Sequence, residues 1–320
     1  MDEESVFVLE IPYETVDFKG TTVNISELCC YNGITQYSNR MGEGCEDSLH
    51  DIASKYSSES SLDAIIKVCK NGTEKDIFDE NKYEIIDDIE GYASDHKCIK
   101  ASLQNKSKGI DFDLMSYNIE GLCKKPGNNL MFRKRLNNFY KTIGKKIRNG
   151  FILCIQELSL QQDESLKLAD ETISLLTKDL KKNFPGVKSS TDGYTGCVCY
   201  DSSVWTLRNI IDIERTGSKK KSNAYHFTCE GGEIWVINIH LKALLSTCSP
   251  KFCRIYDPDN IHAEELNNIL NKVNEGNKNF EVPVYLCGDY NNPSNDKELL
   301  IKNSLLYEKK QEKWFGGWFN

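Results

Sequence analysis

No stretch of this 320-residue chain approaches the roughly 18 consecutive apolar residues of a membrane-spanning helix. The opening residues, MDEESVFVLE, have neither the basic n-region nor the apolar core of a secretory signal peptide, so an intracellular protein, cytoplasmic or nuclear, is expected. The 13 cysteines include no C-x-x-C pair and no cysteine/histidine spacing that suggests zinc. They are scattered, mostly within apolar runs such as FILCIQE and VYLCGD, and read as buried reduced thiols. No internal repeat is visible. Residues 121–150 contain no acid at all, and no histidine follows His262.

What is present fits a globular protein: 39% hydrophobic and 28% charged residues. The formal charge of −8 is uneven. Residues 1–110 carry 22 acids and 11 bases, a balance of −11, whereas residues 111–320 carry 26 acids and 29 bases, a balance of +3. This places a candidate domain boundary near residue 110, with ASLQNKSKG (101–109) as the linker. Residues 1–108 then form a small acidic α+β region, with a strand pair in SVFVLEIPYETVDF and a short helix in SLDAIIKVCK. Asp87, Asp88 and Glu90 read as a solvated acidic face.

From residue 109 onward, strands alternate with helices. DLMSYNI, FILCIQE, TGCVCYDSSVW, AYHFTCE, EIWVINIHL and VPVYLCGDYNN read as strands. Helices are expected over 129–148, over 163–183 up to Phe184-Pro185-Gly186, and over NIHAEELNNILNKVN. Gly231-Gly232 marks a hairpin turn, and hairpins mixed with helical crossovers point to mixed sheets.

Four of these strands end in polar or acidic residues: Asn118 with Glu120 in SYNIEG, Glu157 in CIQEL, His240 in VINIHLKA, and Asp289 with Asn291 in CGDYNN. Side chains at strand ends are held rigidly while facing open space. Each has a bland reading by itself. Asn118 caps a turn, Glu157 starts a helix, and His240 is a satisfied half-buried histidine.

Taken together and in this order, the four motifs resemble the endonuclease/exonuclease/phosphatase superfamily, with the feel of its nocturnin-type poly(A) nucleases, over about residues 111–295. The resemblance implies an α/β fold, a four-layer sandwich of two packed mixed β-sheets flanked by helices. It also implies magnesium, with manganese as a substitute, held by Glu157 and in some members by an acid at Glu120. Asn118 would orient the phosphate and the attacking water, His240 would contact the scissile phosphate or leaving oxygen, Asp289 would polarise the water, and Asn291 would contact phosphate. Arg254 stands before a helix that precedes the Gly-Asp-x-Asn strand, as in the family. The chemistry is coherent, because an anionic phosphodiester needs charge neutralisation and an oriented water.

Members of that superfamily usually end in a further strand carrying Ser-Asp-His, which supplies a catalytic histidine. Only 29 residues follow Asn291 and none is a histidine, so the motif is expected to be missing from 109–320. A fragment, a truncated relative with weak or no activity, and a substitute base from elsewhere all remain open.

Nine bases lie within 121–150, among them Lys124, Lys125 and Arg133; Lys219, Lys220 and Lys221 form a second run, and Lys242 follows His240-Leu241. They read either as a field for a polyanion or as the solvated face of a helix. The expectation is a magnesium-dependent phosphodiesterase acting on nucleic acid. The alternatives are a phosphatase for a small metabolite or phosphoinositide, and a non-catalytic scaffold. The acidic N-terminal region is expected to bind a protein partner or compete for the basic face.

Overall fold

The computed structural model describes residues 14–29, 63–72, 79–86, 94, 96–105, 109–119, 129–158, 165–191, 196–214, 221–241, 258–291 and 297–306. Its strands form two sheets. The larger comprises β1 (Glu14–Phe18), β2 (Thr21–Cys29), β3 (Asp63–Lys70), β10 (Thr206–Glu214), β11 (Lys221–Cys229), β12 (Gly232–His240) and β13 (Val284–Asp289). The smaller comprises β4 (Asp79–Ile86), β5 (Cys98–Asn105), β6 (Ile110–Asn118), β7 (Ile152–Gln156), β8 (Val187–Thr191) and β9 (Cys197–Asp201). Their spatial orders are β1-β2-β3-β13-β12-β11-β10 and β4-β5-β6-β7-β9-β8. Each sheet has one parallel pair, β12/β13 and β6/β7, and the remaining pairs are antiparallel.

Among the described residues four helices cover the outer faces: α1 (Asn129–Ile143), α2 (Ser165–Asn183), α3 (Pro258–Asn277) and α4 (Lys297–Leu305). The central strands are buried on both sides, and the pleat sends alternate residues into different cores. On β13, Tyr285 and Cys287 join Ile65, Phe112, Leu114, Ile152 and Val236 between the sheets. Val284 and Leu286 face the opposite way and pack with Leu266, Leu270 and Ile301 of α3 and α4. On β7, Ile152 and Cys154 point inward, while Leu153 and Ile155 meet Leu136 and Phe139 of α1 and Leu176 of α2. The result is the expected helix–sheet–sheet–helix sandwich.

The N-terminal third does not stand apart as an acidic α+β region. β3, read from SLDAIIKVCK as a helix, is an interior strand between β2 and β13. Its Ile65, Ile66 and Val68 are fully buried with both faces covered, so the segment shows no alternation to separate strand from helix. Residues 101–105 of the expected linker belong to β5, which pairs with β6 in register from Ile99↔Ser116 to Asn105↔Ile110. The proposed boundary therefore falls inside a strand pair. β1 pairs with β2 across Lys19-Gly20, and residues 5–13 of the expected strand pair lie outside the described residues, as do Asp87, Asp88 and Glu90. Among the cysteines whose side chains are described none forms a disulfide, and all but Cys229 are buried.

Candidate active site

The two parallel pairs end at one edge of the sandwich. Asn118 and His240 close β6 and β12, Asp289 closes β13, and Glu157 follows β7 directly. β3 and β5 run antiparallel to these neighbours, so they begin where the others end. Asp63, the first residue of β3, is in register with Asp289, which is also in register with His240. His96 lies two residues before β5. Six strand ends from both sheets thus deliver side chains to one place.

Asp289 is the hub. Its Oδ1 accepts a hydrogen bond from the Asn291 backbone N–H (2.7 Å), and its Oδ2 accepts one from Asn118 Nδ2 (3.0 Å). Asn118 also donates to Glu157 Oε1 (3.2 Å), joining the two carboxylates. His240 Nε2 lies 3.3 Å from Glu157 Oε1 and 3.8 Å from Asp289 Oδ2. On the other side, His96 Nε2 is also 3.8 Å from Asp289 Oδ2. Its Nδ1 is 2.8 Å from Asp63 Oδ2, and both residues are buried. Ser94 completes this arm: its Oγ donates to the Asn118 carbonyl (2.6 Å) and accepts from the His96 N–H (3.1 Å).

The backbone is bent to make these contacts. Glu157 has φ +54°, an uncommon conformation for a non-glycine residue, which turns its carboxylate out of β7 toward Asn118 and His240. Asn291, at φ +48°, donates its amide to the Leu241 carbonyl (2.9 Å), tying the loops after β12 and β13. Gly288 lies where β13 presses on β12; a Cβ there would stand 1.9 Å from the Ile239 carbonyl oxygen. Beneath the site, Gln156 Nε2 donates to Asn238 Oδ1 (2.7 Å) and Ser116 Oγ (3.1 Å), and Asn238 donates to the Ile155 carbonyl (2.9 Å). This buried amide cluster ties β6, β7 and β12 together one step below their functional residues.

Burial alone would raise the Glu157 carboxyl, but the hydrogen bond and charge of His240, with His96 and Asn118, hold it down at about 2. Three carboxylates, Asp63, Glu157 and Asp289, face two imidazoles. Acids thus outnumber imidazoles in a largely buried site, which favours a bound cation. Glu157, His240 and Asp289 offer ligand atoms within 4.8 Å of one another. Adjacent ligands of a small octahedral ion lie about 3 Å apart at metal–oxygen distances of about 2.1 Å, so the cluster fits a divalent cation. Buried His240 Nδ1 has no hydrogen-bond partner among the described residues.

Asn118, Glu157, His240, Asp289 and Asn291, expected to share a site, are brought together. Glu120, Lys124, Lys125, Lys242, Arg254, Lys219 and Lys220 lie outside the described residues, and Arg133 lies in α1 with its side chain outside them. Part of the basic stretch is engaged by the protein's own acceptors. Arg135 is buried and donates to the Ile119 carbonyl (2.9 Å), Arg148 pairs with Asp113, and Lys146 pairs with Glu84.

Sequence reasoning missed Asp63, Ser94 and His96. It sought a Ser-Asp-His triplet after Asn291, yet Ser94-Asp95-His96 lies upstream, just before the strand CIKASLQN. Residue identity was sufficient to find the triplet; the assumption about chain order hid it.

No protein-family model and no curated protein matches the sequence. Structural neighbours include zebrafish (D. rerio) TDP2 complexed with a single-stranded DNA product, at 15% identity over 58% of this chain and 63% of that one, with a TM-score of 0.40. The human nocturnin catalytic domain with bound sulfate aligns at 18% identity over 56% and 63%, with a TM-score of 0.39. An endonuclease/exonuclease/phosphatase family protein from Bacteroides thetaiotaomicron aligns at 16% identity over 56% and 62%, with a TM-score of 0.39. The chain spans less than two thirds of each of these neighbours.

Proposed function

We propose that this protein is a metal-dependent phosphodiester hydrolase whose substrate is a nucleic acid. The observation that carries this reading is the placing of two histidines, His96 and His240, on either side of one buried carboxylate, each 3.8 Å from Asp289 Oδ2. A carboxylate flanked by imidazoles and by an acid suited to a cation is what hydrolysis of an anionic ester requires.

Glu157 would hold the cation, magnesium or manganese, with Asp289 and His240 within reach. When bound, the cation supplies charge neutralisation at the phosphate and acidifies a coordinated water. Asp289, held in one orientation by Asn118 and by the Asn291 N–H, takes a proton from the attacking water. The water oxygen forms the new phosphorus–oxygen bond as the bond to the leaving oxygen breaks. His240 faces the leaving oxygen and gives it a proton, and the proton taken up by Asp289 replaces it across the 3.8 Å between Asp289 Oδ2 and His240 Nε2. His96 presents Nε2 to a phosphoryl oxygen, and Asp63 at Nδ1 fixes its tautomer and ring orientation. The inactive-scaffold reading rested on the missing Ser-Asp-His, and the presence of His96 at the site removes that ground.

The test is a panel assay of the full chain on end-labelled poly(A), mixed-sequence RNA and DNA, with magnesium, manganese or chelator, beside Glu157→Ala. Cleavage that needs metal and is lost in the variant is expected. Release of phosphate from sugar phosphates or phosphoinositides, with oligonucleotides untouched, would replace the nuclease reading with a phosphatase one. No hydrolysis of either class would overturn both.

A further inference from the structure

The completed site raises a question of chain order, because the strand led by Ser94-Asp95-His96 comes before the strands bearing Asn118, Glu157, His240 and Asp289 rather than after them. We propose that this chain is a circular permutation of its fold. In this reading, residues 106–109 join what were once the last and first strands, and the original chain ran from β6 through α4 and then from β1 to β5. The proposal takes from the functional reading only the order in which the motifs are expected.

Three observations carry it. First, β5 and β6 are joined by four residues and pair without a bulge along their length, so their junction is a plain antiparallel hairpin. Joining two neighbouring antiparallel strand ends in this way requires no rearrangement of either sheet. Second, the two ends of the described chain meet on one face. Leu300, Ile301 and Leu305 of α4 lie in the same apolar cluster as Val16, Phe18, Val23 and Ile25 of β1 and β2. Fourteen residues (307–320) and thirteen more (1–13) lie beyond these elements. In the rearranged gene tested below these 27 residues run between the two elements, and they reach about 90 Å when extended, several times the roughly 20 Å radius of gyration of a chain this long. Third, with the ends joined, β13 leads through α4 to β1, β2 and β3. The strand bearing Asp63 then follows the strand bearing Asp289 and returns antiparallel beside it, with Asp63 opposite Asp289. In the joined form the strand led by Ser94-Asp95-His96 comes last, after the strands bearing Asn118, Glu157, His240 and Asp289, which is the order the functional reading expects.

The experiment is to undo the permutation. A gene encoding Gly109–Asn320 followed directly by Met1–Lys108 keeps every residue and changes only one connection. Its product is expected to be monomeric, with the far-UV circular dichroism of the parent and an unfolding midpoint within about 5 °C of it, since loop-closure entropy changes only slowly with the length of a connection. A control with the same join is opened instead between Glu230 and Gly231, within the β11–β12 hairpin, and is expected to lose more than about 10 °C. An insoluble or molten product from the Gly109 opening, or equal losses from both openings, would overturn the proposal. As a second measurement, co-expressed fragments 1–105 and 109–320 should co-purify as a folded pair, and failure to associate would also count against it. These readouts concern folding, so a well-folded but inactive rearranged chain with an equally inactive parent would sink the hydrolase reading alone.

Discussion

Asp63 contributes to the proposed chemistry only through His96. Its carboxylate accepts from Nδ1 at 2.8 Å and leaves Nε2 facing Asp289. Asp63→Asn preserves size but removes the charge that fixes the imidazole. The proposed hydrolysis should slow roughly 10²- to 10⁴-fold with KM little changed, which steady-state kinetics would separate from a general folding defect. An unchanged turnover number would remove Asp63 and His96 from the mechanism. Gly288 has a different role, because no side chain fits between β13 and the Ile239 carbonyl. Gly288→Ala must push the parallel pair apart beneath His240 and Asp289, and should cost about 3 kcal/mol or more in denaturant unfolding. A loss under about 1 kcal/mol would mean that the pair relaxes freely.

At the scale of elements, the sequence was most legible where burial is one-sided or contacts are local. α1, α2 and α3 follow their 3.6-residue spacing closely, and the Gly231-Gly232 signal sits in the β11–β12 hairpin. Asn118, Glu157, His240 and Asp289 were legible because each ends an apolar strand. β3 was misread because a strand covered on both faces looks like any short apolar run. Asp63 was illegible because its partner strand lies 226 positions away in Asp289. The β4–β5–β6 ladder yields a prediction of its own. The Lys146 hydrogen bond holds the Glu84 carboxyl below its ordinary range; burial opposes this, and Lys100 adds to the lowering. Since the folded value is depressed, the stabilisation is complete above the unfolded value of about 4.3 and is lost as pH falls through the folded one. Wild type should therefore exceed Glu84→Gln in unfolding free energy at pH 7, with the gap shrinking toward pH 3. A gap that is the same at both pH values would contradict the pairing.

For the whole molecule, the two sheets cannot be divided near residue 110. Residues 1–108 supply β3 and β5, the neighbours of β13 and β6, together with Asp63 and His96. A detachable acidic module would leave 109–320 folded and better able to bind polyanions. The structure instead leads us to expect that deleting 1–108 strips interior strands from both sheets and gives a chain without cooperative unfolding in calorimetry. A sharp transition in the truncated protein would restore the module reading.

The most direct measurement of the central claim, that strand ends from both halves of the chain form one hydrolytic site, is single-turnover cleavage of an end-labelled oligonucleotide by wild type, Glu157→Gln and His96→Ala, with magnesium and with chelator. The account predicts metal-dependent cleavage by wild type, a loss of about 10²-fold or more in each variant, and far-UV dichroism that overlays for all three. Wild-type rates in a folded His96→Ala, or cleavage indifferent to chelator, would contradict it.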